Sequence, residues 1–288
     1  MLGRLSDESG VHAAVAAQQL GLALDEGLHP ASIGTLDQAL ETVARIADVG
    51  LIVRIGHPAQ PDADLENSLI RQRPGVVLSS ATQVARQWVW VGRQDAAPGG
   101  SGGVVVVDER AYEDLSGRLA KTGLAVRLVP AGASMNDRIR VAGSRATMII
   151  EAAAVPEGWH VLPGSQELTQ GPDIWFGQVI RYADVPADHG RAIIWLVFGP
   201  DREHTGSLRE VLSVFADQQI DLKHIRSGKA PGGQHAFFTA FQVSSGEAVA
   251  HLRAALEQAN VAHRVLAVIP NATLDAEEEE LTLRWDTL

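Results

Sequence analysis

Cysteine is missing from the whole of this 288-residue chain. Disulfide bridges, thiolate nucleophiles and cysteine-based zinc sites are therefore excluded. Basic side chains are in short supply as well: 24 Lys and Arg stand against 35 Asp and Glu, for a formal net charge of -11. Nucleic acid is a poor partner for such a chain, because phosphate binding needs a concentrated positive surface. No run of 18 apolar residues occurs, so no helical membrane span is expected. Met1 to Glu8 lacks an apolar stretch behind a basic start. That argues against a secretory signal and for a cytoplasmic protein. The ten histidines show no His-x-His or His-x-x-x-His spacing, so no metal site is expected. Gly99 to Gly103 is glycine-rich but lacks the Lys-Ser/Thr ending of a phosphate loop, and no cofactor is implied.

What is present is enough apolar material, 45% of residues, to build a sizeable core in two domains or three small lobes. Residues 11–24 read as an Ala-rich helix. Thr35 is an N-cap for a helix over 36–47, with Leu36, Ala39, Leu40, Val43 and Ile46 at helical spacing. Val49 to Ile55 reads as a buried strand whose one charge is Arg54, broken at its carboxyl end by Gly56-His57-Pro58. Open α/β sheets hold their ligands at such ends. Further strand and helix patterns alternate through residues 62–91, then after the spacer 96–103 through 104–182. Two α/β lobes with a cleft between them follow from this alternation. Residues 184–190 read as a linker, and Asp275 to Leu281 as a solvated acidic tail.

Beyond the linker the order is an apolar strand, Ala192 to Phe198, a Gly206-Ser207-Leu208 turn, an amphipathic helix, and strands around Ile220 to Ser227 and Ala236 to Val243. This segment resembles an ACT domain, a small ligand-sensing module. With it, the whole layout over about residues 1–270 is similar to the prephenate dehydratase family. Leu2-Gly3 matches the family's opening strand, and His12-Ala13-Ala14 the helix after its first loop. Residues 47–55 match the strand before its second site motif, and residues 145–162 the stretch before its third. The fold implied is α/β. Residues 1–183 form two Rossmann-like lobes of the type II periplasmic-binding-protein kind, lobe 1 over about 1–80 plus returning strands and lobe 2 over about 95–175. A ferredoxin-like βαββαβ ACT domain follows over 191–270, and then a tail over 271–288.

The site motifs depart from the family. Its Gly-Thr-(Phe/Tyr)-Ser loop corresponds to Asp7-Glu8-Ser9-Gly10, where Ser9 alone keeps a hydroxyl. Its Glu-Asn-Ser corresponds to Gly56-His57-Pro58, although a literal Glu66-Asn67-Ser68 follows within a helical pattern. Its Thr-Arg-Phe corresponds to Ile174-Trp175-Phe176. Ile cannot donate a proton and Trp cannot form a bidentate ion pair with a carboxylate. The expected site is therefore rebuilt from other residues: His57 and Ser9 as catalytic groups, with Arg54, Glu109, Arg110, Trp175 and Phe176 binding substrate. In the ACT-like segment the expected effector residues are Gly206, Ser207, Leu208, Arg226 and Ser227. Arg226 stands where the family has Glu, which reverses a charge.

Three functions remain open at this stage. One is a lyase acting on prephenate or a related cyclohexadienyl or aromatic acid, by non-aromatising decarboxylation or another altered reaction, in specialised metabolism. The second is a non-catalytic regulatory protein that binds an aromatic amino acid. The third is a true dehydratase of aromatic amino acid biosynthesis that uses Glu66-Asn67-Ser68. The resemblance further implies an amino-acid effector and a homodimer or homotetramer.

Overall fold

The computed structural model describes residues 1–5, 10–22, 30–72, 75–85, 88–93, 103–130, 133–143, 147–166, 173–182, 189–200, 204–229 and 235–271. The expected tail, most of the linker and most of the glycine-rich spacer lie outside them. The elements run β1 (Leu2–Arg4), α1 (Gly10–Gln19), β2 (Ala31–Ser32), α2 (Leu36–Arg45), β3 (Gly50–His57), β4 (Gln60–Pro61), α3 (Ala63–Arg71) and β5 (Val76–Val84). Next come β6 (Trp88–Gly92), β7 (Val104–Asp108), α4 (Glu109–Thr122), β8 (Ala125–Val129), α5 (Met135–Ala142), β9 (Thr147–Glu151), β10 (His160–Val161) and β11 (Ile174–Arg181). The chain closes with β12 (Ala192–Pro200), α6 (Ser207–Asp217), β13 (Leu222–Lys229), β14 (His235–Val243), α7 (Gly246–Gln258) and β15 (Val261–Pro270). This is the expected α/β class, and the last six elements have the expected βαββαβ order.

Two compact units result. The first holds residues 1–6, 16–82 and 175–288; the second holds 7–15 and 83–174. In the second unit β6, β7 and β9 form the middle of a five-stranded sheet. Trp88, Val105, Val107 and Ile149 pack with α4, while Val106, Met148 and Ile150 pack with α5. Strand alternation alone makes this division, since neighbouring side chains leave on opposite faces. Asp108 ends β7 and caps α4 by accepting the Ala111 N–H at 2.7 Å. It also pairs with Arg138 at 2.7 Å.

The first unit is built on one long sheet in the order β13-β14-β12-β15-β5-β11-β3-β1-β2. Among the described residues its two halves meet at the bridge between Ala267 and Leu78. Strand β12 is buried on both faces, which is why Ala192 to Phe198 has no polar residue. Ile194, Leu196 and Phe198 pack with α6 and α7. Ile193 and Trp195 pack instead with β3, α2 and α3. Helix α2 starts where Thr35 predicts, with the Thr35 N–H donating to Gln38 Oε1 at 3.1 Å in a capping box.

Arg264 of β15 fastens this arrangement. Its guanidinium donates to the carbonyls of Leu69 at 2.6 Å and Ile70 at 3.0 Å, and also to Gln72. These are carbonyls at the end of α3 that have no partner within the helix. Arg264→Ala is expected to destabilise the protein by about 2–4 kcal/mol in urea denaturation, because several partly buried carbonyls lose a charged donor together. Arg264→Lys should recover part of the loss, since one ammonium cannot reproduce the planar fork.

Candidate functional site

Strand β3 brings two candidate groups to its carboxyl end and sends them apart. Leu51, Val53 and Ile55 belong to the core made with α2 and α3. Arg54 alternates with them and therefore leaves on the other face. Strand β1 runs parallel to β3 with Arg4 opposite Ile52, which puts Arg4 on the face of Arg54. Strand geometry places the two Cα atoms about 8 Å apart. On the other flank Phe176 lies opposite Arg54. The Arg4 Nη1 donates to the Leu5 carbonyl at 2.9 Å. The Nε of Arg54 is buried and has no hydrogen-bond partner among the described residues. A guanidinium set at a parallel-strand end with an unfilled donor suits an anionic ligand.

His57 sits on the side of the Val53–Ile55 core. Its ring meets Trp175 edge-on at 6.1 Å between centroids, and Trp175 packs against that same core. Trp175 and Phe176 are neighbours on β11 and leave on opposite faces, and the pairing with β3 shifts register between them. The Ala59 N–H donates to His57 Nδ1 at 3.1 Å, so the ring proton of the neutral form sits on Nε2. Burial holds the pKa of His57 below its ordinary value. The turn needs Gly56, which has φ +71° and whose Cβ would lie 2.9 Å from the Asp62 nitrogen.

The other expected residues are distributed differently. Ser9 lies outside the described residues. Glu109 and Arg110 form the first turn of α4 in the second unit, while Arg54, His57, Trp175 and Phe176 belong to the first. Gly206 caps α6 with φ +99°, and the Ser207 hydroxyl donates to the His204 carbonyl at 2.9 Å. Beside them a cavity of about 340 Å³ is lined by Pro200, His204, Ser207, Glu210, Val211 and Asn260. Leu208 packs into the apolar core below.

Arg226 and Ser227 lie on β13 and do not line that cavity. Arg226 Nη1 instead pairs with Glu66 Oε2 at 2.7 Å. Glu66 is 3% exposed and sits in the body of α3, so the literal Glu66-Asn67-Ser68 is helical and its carboxylate is engaged. Burial raises the pKa of Glu66, and the nearby Arg226 offsets part of that rise. Arg4, His204, Glu210 and Asn260 were not among the expected site residues. The one local signal for Arg4 was a charge inside an apolar opening strand.

No family model and no curated relative matches the chain. Solved structures do. A prephenate dehydratase from Arthrobacter aurescens in complex with L-Phe superposes with a TM-score of 0.70 at 18% identity, covering 94% of this chain and 90% of that one. The chain has a prephenate-dehydratase-like fold. The enzyme from Staphylococcus aureus gives 0.64 at 15% identity, over 93% of this chain and 99% of its own. GqqA, described as a novel type of quorum quenching acylase, gives 0.65 at 14% identity, over 94% and 98%. At such identities the likeness establishes the fold, and the activity has to be argued from side chains. Among the described residues no group of three or more His, Asp or Glu could hold a metal ion, and no helix is long and apolar enough to cross a membrane.

The Glu66–Arg226 pair gives a pH-dependent test. Arg226→Met leaves a buried carboxylate uncompensated and is expected to cost roughly 2–4 kcal/mol at neutral pH. Removing Arg226 lifts the already raised pKa of Glu66 further. The deficit should therefore vanish toward the ordinary 4.5 and grow as pH rises through the folded-state value. Chemical denaturation of both proteins from acid to neutral pH reads it directly.

Proposed function

We propose that this protein binds a small cyclohexadienyl or aromatic acid, with prephenate as the first test compound, and acts on it as a lyase by a route other than the usual dehydration. The observation that carries the reading is Arg54, at the carboxyl end of β3, whose buried Nε has no partner among the described residues. A ligand carboxylate is the natural complement to such a group. Trp175 supplies an aromatic wall, and His57 a polar group beside it. In a non-aromatising reaction the C–C bond to the ring carboxyl breaks and CO2 leaves with the hydroxyl retained. The electron pair spreads over the ring diene, and a proton adds at a ring carbon. The protein's part is to hold the carboxylate out of the ring plane and to guide that proton.

The structure sharpens the role given to His57. Its Nδ1 is occupied by the Ala59 N–H, and burial disfavours the imidazolium. A neutral ring donating through Nε2 suits these facts better than a pre-charged acid, and water is the ultimate proton source. The dehydratase reading is disfavoured because the Glu66 carboxylate is tied to Arg226. A second reading, binding without turnover, draws on the same occupied Nδ1. We also assign an amino-acid effector, by analogy with the L-Phe complex, to the cavity beside Ser207 rather than to Arg226 and Ser227.

Incubation with prephenate separates these readings. CO2 with a non-aromatic product supports the lyase, phenylpyruvate supports the dehydratase, and saturable binding alone supports the second reading. Release of an amine from an N-acyl substrate would move the protein toward the acylase neighbour. Arg54→Met should weaken prephenate binding by about 30-fold or more, the equivalent of one charge-assisted contact. His57→Ala should lower kcat with little change in binding. Because the pKa of His57 is lowered, the neutral ring persists below 6.5. Turnover is therefore expected to stay level as pH falls through that value and to drop only at the lower pH where the ring protonates.

A further inference from the structure

Trp195 is wholly buried, with no exposed surface. A buried indole N–H needs an acceptor, and this one donates to the carbonyl of Pro58 at 2.6 Å, across 137 positions of sequence. Pro58 follows His57 directly. The same peptide unit that presents the Pro58 carbonyl presents the Ala59 N–H, and that N–H donates to His57 Nδ1 at 3.1 Å. A peptide group is planar and resists rotation, so its carbonyl and its N–H cannot be aimed independently. The indole of Trp195 thus holds one end of a rigid plate whose other end holds the histidine ring.

The surrounding contacts leave the plate little freedom. Upstream, Gly56 occupies φ +71° with Asp62 close behind it. Downstream, the Asp62 N–H donates to the Ile55 carbonyl at 3.1 Å and closes the hairpin. Trp195 is itself fixed by Phe238, met edge-on at 5.9 Å, and by its place on β12 between two buried layers. Hydrogen bonds joined through one peptide polarise each other in the same sense. The indole draws electron density toward the Pro58 oxygen and makes the Ala59 N–H a better donor.

We infer that Trp195 is a positioning residue, which sets the orientation and the tautomer of His57 through the Pro58–Ala59 peptide. This rests on the proposal above only for its effect on turnover; the link between the two rings is testable by itself. It also means that β12, which belongs to the C-terminal βαββαβ segment, contributes to the setting of His57 at the end of β3.

NMR of the full-length protein tests the link. In the wild type the Trp195 indole proton should exchange slowly. Its resonance should also move with the same midpoint as His57, because protonating Nδ1 repels the Ala59 N–H and twists the shared peptide. An indole signal indifferent to His57 titration would overturn the proposal. Trp195→Phe removes the N–H while keeping an aromatic ring. The His57 nitrogen shifts should then change from the pure Nε2–H form to a mixture of tautomers, and kcat on prephenate should fall about 10-fold with KM unchanged. Phe238→Leu touches the indole but not its hydrogen bond, and controls for general loosening. It should lower Tm without altering the tautomer. Equal tautomer changes in both variants, or none in Trp195→Phe, would refute the role. If His57→Ala leaves turnover intact while the two rings still titrate together, the proposed function of His57 fails and the positioning link survives.

Discussion

The Glu66 carboxylate lies inside the first unit, and the position of helix α3 depends on how that charge is met. Arg226 meets it from β13, 160 positions later. Arg264 takes the carbonyls at the end of the same helix from β15. Both cations come from the C-terminal strands, and both act on a helix that begins two residues after the β3–β4 hairpin. Charged contacts of this kind add little net stability over apolar packing, but they are costly to break and they select one arrangement over its neighbours. Apolar burial along β12 supplies the driving force. Arg226 holds the body of α3 and Arg264 its end, and the helix starts two residues after the hairpin that carries His57.

The same pair explains a puzzle in the sequence. Arg226 reads as a reversed charge within an effector motif when judged by its neighbours. In the structure its partner is Glu66, which reads in turn as part of a displaced Glu-Asn-Ser motif. The contact between them accounts for both residues within this chain: a buried carboxylate and the cation that neutralises it.

Local pattern made most of the elements legible. Helix α2 was marked by Thr35 and its apolar spacing, β7 by four valines, and β12 by an unbroken apolar run. Those signals are set by contacts within a few residues. His57 stood out as a candidate for a similar reason, because Gly and Pro bracket it at the end of a strand. Arg4, Trp195 and the true partner of Arg226 could not. Each takes its meaning from a residue on another strand or helix, and no local spacing encodes that pairing. The register that puts Arg4 on the face of Arg54 exists only once β1 lies beside β3. Nor did the sequence separate Arg54 from His57 by face, because Gly56-His57-Pro58 reads as the end of the strand, whereas β3 runs on to His57 and the alternation runs on with it.

That separation constrains the chemistry. Arg54 and His57 are three residues apart, about 10 Å along an extended strand. A small acid can reach both only beyond the carboxyl edge of β3, where the strand ceases to be a wall. Gly56 thins the barrier there, since it carries no side chain, and alternation along β11 sends Trp175 to one side and Phe176 to the other. An arginine side chain spans roughly half of that distance, so a carboxylate held by Arg54 leaves the ring of its ligand near the strand end. The reacting carbon would then approach His57 from the Nε2 side, the one nitrogen not committed to Ala59. A fixed tautomer becomes a requirement of such a site, because a ring turned over would present its acceptor to the ligand. Under the proposed function, the hydrogen bond from the Trp195 indole to Pro58 would serve that requirement through the Pro58–Ala59 peptide.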